Sequence, residues 1–233
     1  MCDLSFDASE VSVSQFADAT TIHGPTGELE LLGTIVRLQV QTSSLKCGER
    51  PRSWYTPEFI RTVPALRLDD GGVTGVDEGD VADVHHRDHP QSKWRGENGL
   101  SVVFSGHYSR LRERFGPHLT DGIAGENILV EADREFTESE VAGGIVIVGA
   151  AGPIELEAVQ HAPPCVEFSK FCAGYASDQR ADAVIADTLQ FLNLGMRGFY
   201  ATLAEGSSSS VNIALGDSVY RRTRSPEVES TVS

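Results

Sequence analysis

Apolar and polar side chains alternate along several short segments of the chain, with the period of two that is typical of half-buried β-strands. The alternation becomes regular after Gly33, where Val36, Leu38 and Val40 are separated by polar residues. Further strands are predicted at residues 127–131, 145–148, 154–159, 199–203 and 211–220. The segments at 145–148 and 154–159 flank a glycine-rich turn, which predicts a β-hairpin.

Two other segments have the three-to-four-residue apolar spacing of helices. The first runs from Ser105 to Phe115, with Ser105 as the predicted N-cap and Gly116 just past the end. The second is predicted at residues 178–192. Short strands separated by turn signals, together with two helices, favour a mainly β protein that forms a closed or nearly closed β-barrel carrying helices.

The chain divides into one predicted domain and two tails. Residues 1–32 are polar, acidic and largely aperiodic, and we interpret them as an N-terminal arm. Residues 33–220 form the predicted barrel domain, and residues 221–233 resemble the arm in composition and are predicted to be a disordered tail. A length of 233 residues is typical of one such domain with short tails.

The net charge of −15 changes the list of plausible partners. Nucleic acids and anionic membrane surfaces need patches of lysine and arginine, so neither is an expected partner. No apolar run reaches the length of a membrane span and the N-terminus lacks a signal-peptide pattern, which predicts a cytoplasmic protein. With only 19 lysines and arginines, any anionic ligand needs a local cluster of positive charge.

The four cysteines are too few and too scattered for a disulfide framework, and no CxxC pair indicates structural zinc. Cys165 differs from the others because it follows Pro163 and Pro164, which remove backbone donors and hold it in a rigid loop after a predicted strand. Cys172 lies among apolar and small residues and is interpreted as a packing residue. Cys2 and Cys47 show no such context.

Two polar segments also differ in composition from the predicted strands and helices. Residues 83–90 contain three histidines, two aspartates and an arginine; a solvated loop and a metal site both remain open, although the adjacent His85 and His86 would point apart in a strand. Residues 121–128 place Glu126 and Asn127 after a glycine turn, at the start of a strand. On its own, this second segment is better explained as an ordinary turn.

The order of these segments resembles the MOSC domain, a family named for the C-terminal domain of molybdenum cofactor sulfurases. The resemblance covers residues 33–220 and rests on Gly75, Asp83-Val84-His85-His86, His107-Tyr108, Gly125-Glu126-Asn127, Pro164-Cys165, Arg197-Gly198-Phe199-Tyr200 and Gly216-Asp217. Each motif is weak alone, but their shared order makes the resemblance specific. It implies a single-domain β-barrel that binds a molybdenum cofactor of the molybdopterin type.

The resemblance also implies roles for individual residues. Cys165 would ligate the molybdenum and, with His86 and Glu126, would make up the catalytic set. The remaining cofactor-binding residues would be His85, Arg87, Gly125, Asn127, Pro164 and Arg197.

Three features depart from the family pattern. Ala162 stands where an arginine commonly precedes the cysteine by three residues, and the loop from His86 to Pro90 lacks its usual glycines. Val166, Glu167 and Phe168 replace the basic or aromatic residues often found after the cysteine. We hypothesise that Arg87 supplies the lost positive charge.

The implied activity is the reduction of N-hydroxylated or related N–O compounds, with a small molecule as substrate. The chain has neither an iron–sulfur motif nor a GxGxxG fingerprint, so an external redox partner protein is expected to supply electrons. Two alternatives remain: a non-catalytic carrier of the cofactor, and a sulfur carrier that uses a persulfide on Cys165. A hydrolase is less favoured because no Gly-x-Ser-x-Gly elbow is present.

Overall fold

The computed structural model describes residues 21–24, 27–176, 178–206 and 210–223. Most of the predicted arm and tail, at residues 1–20 and 224–233, lies outside the described residues. Regular structure nevertheless begins before Gly33, because β1 (Thr21–Gly24) pairs with β2 (Gly27–Gln41). At the other end, β15 (Ser218–Thr223) extends past residue 220. The sheet is therefore longer at both ends than the sequence pattern predicts.

The remaining strands are short. They are β3 (Lys46–Cys47), β4 (Trp54–Tyr55), β5 (Ile60–Thr62), β6 (Ala65–Asp69), β7 (Gly72–Val76), β8 (Val81–Ala82), β9 (Leu100–Phe104), β10 (Ile128–Glu131), β11 (Ile145–Gly149), β12 (Gly152–His161), β13 (Phe199–Leu203) and β14 (Ser210–Ala214). The helices are α1 (Ser105–Phe115), α2 (Glu138–Val141), α3 (Val166–Cys172) and α4 (Ala183–Leu192). None of these described helices is long and apolar enough to cross a membrane.

Seven strands close into a barrel in the order β2, β10, β9, β13, β12, β11 and β15, and β15 pairs back onto β2. Only β9 and β10 run parallel; the other neighbours in the ring are antiparallel. Closure pairs the edges that an open sheet would expose. At Gly33, where φ is +156°, a Cβ atom would lie 1.8 Å from the carbonyl oxygen of Glu131, so β2 passes its neighbour here only because the residue is glycine.

The pleat of the strands separates two apolar groups. The barrel core lies inside the ring and includes Ile35, Leu38, Val102, Phe104, Ile128 and Phe199. The outer cluster lies on the opposite face of β9 and β10; it comprises Leu45, Tyr55, Val103, Tyr108, Leu111, Leu119, Ala124, Leu129, Phe168, Cys172 and Leu192. A second sheet, in the order β14, β6, β7 and β8, adds its apolar side chains to the barrel core.

The predicted mainly β barrel with helices is confirmed, with differences in detail. The hairpin of β11 and β12 and the helix α1 lie where they were predicted, although the N-cap of α1 is Phe104 rather than Ser105. Helix α4 begins later than predicted because the Asp182 carboxylate caps it by accepting the backbone N–H groups of Val184 and Ile185. The strand predicted at 211–220 is two strands, β14 and β15, which join different sheets.

Candidate functional site

Cys165 lies between β12 and α3, at the outer cluster. Pro163 and Pro164 end the strand because they cannot donate backbone hydrogen bonds, and the N–H of Ala162 is the last to pair, donating to Gly198 at 2.8 Å. The Cys165 carbonyl then begins α3 by accepting both the N–H and the hydroxyl of Ser169, at 3.0 and 2.9 Å. The thiol is half-buried and packs against the outer cluster.

Arg197 enters the same region from the segment that precedes β13. Its guanidinium lies over the Phe168 ring, 4.5 Å from the centroid, and donates to the carbonyl of Ala124. Within the described ranges, no carboxylate lies within 4.0 Å of it. Burial lowers the pKa of Arg197, but the nearby Tyr55 and Cys165 more than offset this and raise it. Arg197 is therefore a charged residue without a carboxylate partner beside the thiol.

Glu126 is a buried carboxyl group on the far side of Arg197. The Tyr108 hydroxyl lies 2.9 and 2.8 Å from its two oxygens, and it also accepts the N–H of Ala124 at 3.0 Å. Burial raises the pKa of Glu126, while Tyr108 and Arg197 favour its charged form. A chain of contacts thus links Glu126 through Tyr108 and Ala124 to the guanidinium of Arg197. Glu126 is 1% exposed, so its carboxyl group is enclosed by protein groups.

Gly125 shapes the backbone of this segment. Its φ is +81°, and an added Cβ would lie 2.4 Å from the Leu45 side chain, so the position requires glycine. Its carbonyl accepts the Gln41 side-chain amide at 2.6 Å. Nearby, the Tyr55 hydroxyl donates to the carbonyl of Ile123 at 2.6 Å. The predicted glycine turn is therefore held on two sides by β2 and β4.

Asn127 and His85 are connected through Asp83. The Asn127 amide donates to Asp83 at 2.9 Å and to the Gln39 carbonyl at 3.2 Å, while its oxygen accepts the N–H and hydroxyl of Ser101. The other oxygen of Asp83 lies 2.9 Å from the Nδ1 atom of His85. Because its amide is fully used by protein partners, Asn127 fixes the loop to the barrel.

His86 and Arg87 face the turn between β6 and β7. The Nε2 atom of His86 lies 3.3 Å from Asp69. Arg87 pairs with Asp70 at 3.3 Å and lies 5.6 Å from the centroid of the Trp94 ring. Arg87 therefore has a carboxylate partner in an exposed ion pair, and its predicted role toward the cofactor stays a prediction.

The other candidate metal sites gain no support. Among the described residues, no group of three or more His, Cys, Asp or Glu side chains could hold a metal ion, and this includes the histidine-rich loop. Burial raises the pKa of the Cys172 thiol to about 12, as expected for a packing residue. Cys47 is half-buried, and Cys2 lies outside the described residues.

Several residues of the site were not predicted from the sequence. Helix α3 itself was missed, and it explains the departure at Glu167, whose carboxylate accepts the hydroxyl of Ser53 at 2.7 Å. Lys170, on the same helix, donates to the carbonyls of Pro51 and Ser53, both at 3.3 Å. These contacts tie the loop before β4 to the helix that follows Cys165. The only sequence signal was the proline- and aromatic-rich composition of residues 46–64.

Comparison with known proteins yields structural similarity alone. No family model matches the chain, and no curated protein matches it. A hypothetical protein of solved structure matches with a TM-score of 0.50 and 14% identity, over 84% of this chain and 70% of that chain. YuaD from Bacillus subtilis has a TM-score of 0.49 and 13% identity, covering 84% of this chain and 97% of its own. YiiM from Geobacillus stearothermophilus has a TM-score of 0.45 and 17% identity, covering 84% of this chain and 76% of its own.

At such identities the similarity concerns the fold and carries no residue role. The resemblance to the MOSC family therefore rests on the order of motifs in the sequence. The closed seven-strand mixed barrel, which carries four helices within the described residues, is the fold class predicted from the sequence, and the hypothetical protein of solved structure shares it.

Proposed function

We propose that this chain binds a molybdenum cofactor through Cys165 and reduces N-hydroxylated or related N–O compounds, with electrons from a separate redox protein. One observation carries the proposal: a half-buried thiol lies beside Arg197, a cation without a carboxylate partner in the described ranges, on the outside of a closed seven-strand barrel. The order of sequence motifs that resembles the MOSC family supports the same function. A thiolate is a soft ligand of the kind that suits such a metal. An arginine without a carboxylate partner suits the anionic phosphate of a pterin cofactor.

The residues present fit this group in chemistry. Cys165 would bind the metal, Pro164 would fix the loop that carries it, and Arg197 would hold an anionic part of the cofactor. Gly125 and Asn127 would act indirectly, because their polar groups are already bonded within the protein. When bound, the molybdenum centre would supply the two-electron chemistry.

The protein itself must deliver protons and keep the site ordered. Reduction of an N–OH group to N–H and water consumes two electrons and two protons, and the electrons come from the redox partner. His85 is half-buried and has Asp83 at its Nδ1 atom, so its Nε2 atom is better placed to pass a proton than the Nε2 atom of His86, which faces Asp69. Glu126 would keep Tyr108 and Arg197 in position.

A carrier that binds the cofactor without turnover is the second candidate. The observation that favours it is Ala162, which is 4% exposed and contributes no charge where the family commonly has an arginine. Cys165 and Arg197 would then hold the cofactor without the arginine that family members commonly add, which suits a protein that releases it.

Turnover by the loaded protein decides between these functions. The chain is produced in a host that makes the cofactor, and reduction of an N-hydroxylated probe is measured with a chemically reduced viologen as electron donor. We expect turnover in proportion to bound molybdenum, and none in protein from a host unable to make the cofactor. Full molybdenum loading without turnover would favour the carrier. A persulfide on Cys165 in molybdenum-free protein, seen by mass spectrometry, would favour sulfur transfer.

A further inference from the structure

Residues 46–54, which include β3 and the start of β4, carry an excess of positive charge in an acidic protein. The segment contains Lys46, Arg50 and Arg52 but only one carboxylate, Glu49, whereas the whole chain has a net charge of −15. All three cations are exposed. Most described arginines are in ion pairs, but none of these three cations lies within 4.0 Å of a carboxylate among the described residues. We call this segment the basic hairpin.

The outer face of the basic hairpin presents a tryptophan. On β4 the side chains alternate, because Ser53 and Tyr55 are buried whereas Trp54 is 40% exposed. Trp54 pairs across the hairpin with Cys47. Its ring also lies against Gly48, where an added Cβ atom would come within 2.5 Å of the indole. A large aromatic side chain is therefore supported at the surface of the same segment that carries the three cations.

The inner face fixes the basic hairpin to α3, the helix that begins after Cys165. The Tyr55 ring packs edge-on against the ring of Phe168, with 5.0 Å between the centroids. The hydroxyl of Ser53 donates to the carboxylate of Glu167 at 2.7 Å. Both helix residues lie within three positions of Cys165. A protein that binds the outer face of the basic hairpin is therefore brought to the side of the barrel that carries the thiol.

We infer that the basic hairpin is the docking surface for a small redox protein with an acidic surface. The inference rests on the proposed function for the nature of the partner, because that function requires electrons from a separate protein. Tryptophan and arginine are enriched among the residues that contribute most to protein interfaces. A short hairpin suits the small interfaces of redox complexes, which bury less than about 1,200 Å². Opposite charges speed the encounter of such partners.

An acidic protein fits this surface better than a membrane or a nucleic acid does. A bilayer or a nucleic acid duplex extends past the basic hairpin and meets the rest of a chain whose net charge is −15. A small protein can contact the basic hairpin alone. The charge of the segment therefore favours a compact acidic partner.

Binding of an acidic plant-type [2Fe–2S] ferredoxin and of an acidic flavodoxin to the whole chain tests the surface. Calorimetry at low ionic strength should detect at least one complex, and Arg50→Gln/Arg52→Gln should weaken it about tenfold, as expected for two charges lost from a solvated interface. Trp54→Ser should weaken it severalfold. These side chains are exposed, so the substitutions spare the folded core.

A matched control has the same change in net charge at another place. Arg67→Gln/Arg110→Gln removes two exposed arginines that lie outside the basic hairpin, on β6 and α1. This variant should bind with the dissociation constant of wild type. Absence of binding to either redox protein, or equal weakening by the two double variants, would overturn the inference.

Turnover with two electron donors separates docking from the proposed function. In cofactor-loaded protein, Arg50→Gln/Arg52→Gln should lower turnover driven by the bound redox protein about tenfold and leave turnover driven by reduced viologen unchanged, since a small dye needs no docking surface. Equal loss with both donors would overturn the inference. If wild type contains no molybdenum, the proposed function fails, while the binding titration still decides whether the basic hairpin docks an acidic redox protein.

Discussion

The barrel core and the outer cluster lie on opposite faces of the same strands, yet they serve different purposes. On β9, Val102 and Phe104 point into the barrel core, whereas Val103 contacts the outer cluster. The barrel core brings together apolar side chains from the strands of both larger sheets. The outer cluster surrounds the polar chain that joins Glu126 to Arg197.

This difference indicates where stability and chemistry reside. Apolar burial stabilises the fold in rough proportion to the area removed from water. Burying a carboxyl group or a guanidinium opposes folding unless hydrogen bonds compensate. Glu126 and Arg197 both contact members of the outer cluster, whereas the residues of the barrel core are all apolar. This is the pattern expected when one face of a barrel wall stabilises the fold and the other carries a site.

Truncation of one leucine in each region should give the largest difference in stability between the barrel core and the outer cluster. Leu38 in the barrel core and Leu111 in the outer cluster are 0% and 1% exposed. We expect Leu38→Ala to lower the free energy of unfolding by about 4 kcal/mol and Leu111→Ala by about 2 kcal/mol. The outer cluster is bordered by half-buried residues that can move into the space. Chemical denaturation measures both, and a larger loss at Leu111 would contradict the comparison.

Replacement of Gly125 by alanine should disturb the outer cluster through the backbone. At a φ of +81° a side chain costs about 1–2 kcal/mol, and the Cβ would also collide with Leu45. Gly174→Ala is the control, since its φ is +69° and no atom lies within 4 Å of its Cβ position. We expect the larger fall in melting temperature for Gly125→Ala; equal falls would mean that contact with Leu45 is unimportant.

Glu126 should contribute to the pH dependence of the free energy of unfolding. Burial raises the pKa of Glu126 above the ordinary value of 4.5, so the folded state binds this proton more tightly than the unfolded state. Stability from this group is therefore present at low pH and is lost as the pH rises above 4.5. Glu126→Gln keeps an acceptor for Tyr108 and should flatten the loss of stability above pH 4.5, measured by denaturation at a series of pH values. An unchanged slope would show that Glu126 is ionised without cost.

His107, at the edge of the barrel core, should give the opposite and smallest effect. The His107 ring packs against the rings of Phe104 and Phe199. Burial lowers the pKa of His107 below its ordinary value of 6.5. The unfolded state then binds the proton more tightly, so stability falls as the pH drops through 6.5. His107→Gln should remove this acid-side loss. A loss that persists in the variant would assign it to other groups.

Sequence patterns predicted the barrel because the period of strands is local, and the β11–β12 hairpin and α1 follow from it directly. Helix α3 was missed because it has only seven residues and buries Glu167 and Lys170, which mimic a polar loop. The rigid loop that carries Cys165 was predicted from its prolines, and the role of Cys165 as a ligand stays a prediction. The contributions of Tyr55 and Lys170 depend on contacts between distant parts of the chain, and no local pattern reveals those.

The molybdenum content of two cysteine variants tests the central claim most directly. Cys165 and Cys47 are both half-buried thiols, but only Cys165 lies beside Arg197. After production in a host that makes the cofactor, elemental analysis should find molybdenum near one atom per chain in wild type and Cys47→Ser, and almost none in Cys165→Ser. Circular dichroism confirms that each variant is folded. Equal molybdenum in Cys165→Ser and wild type would contradict Cys165 as the ligand.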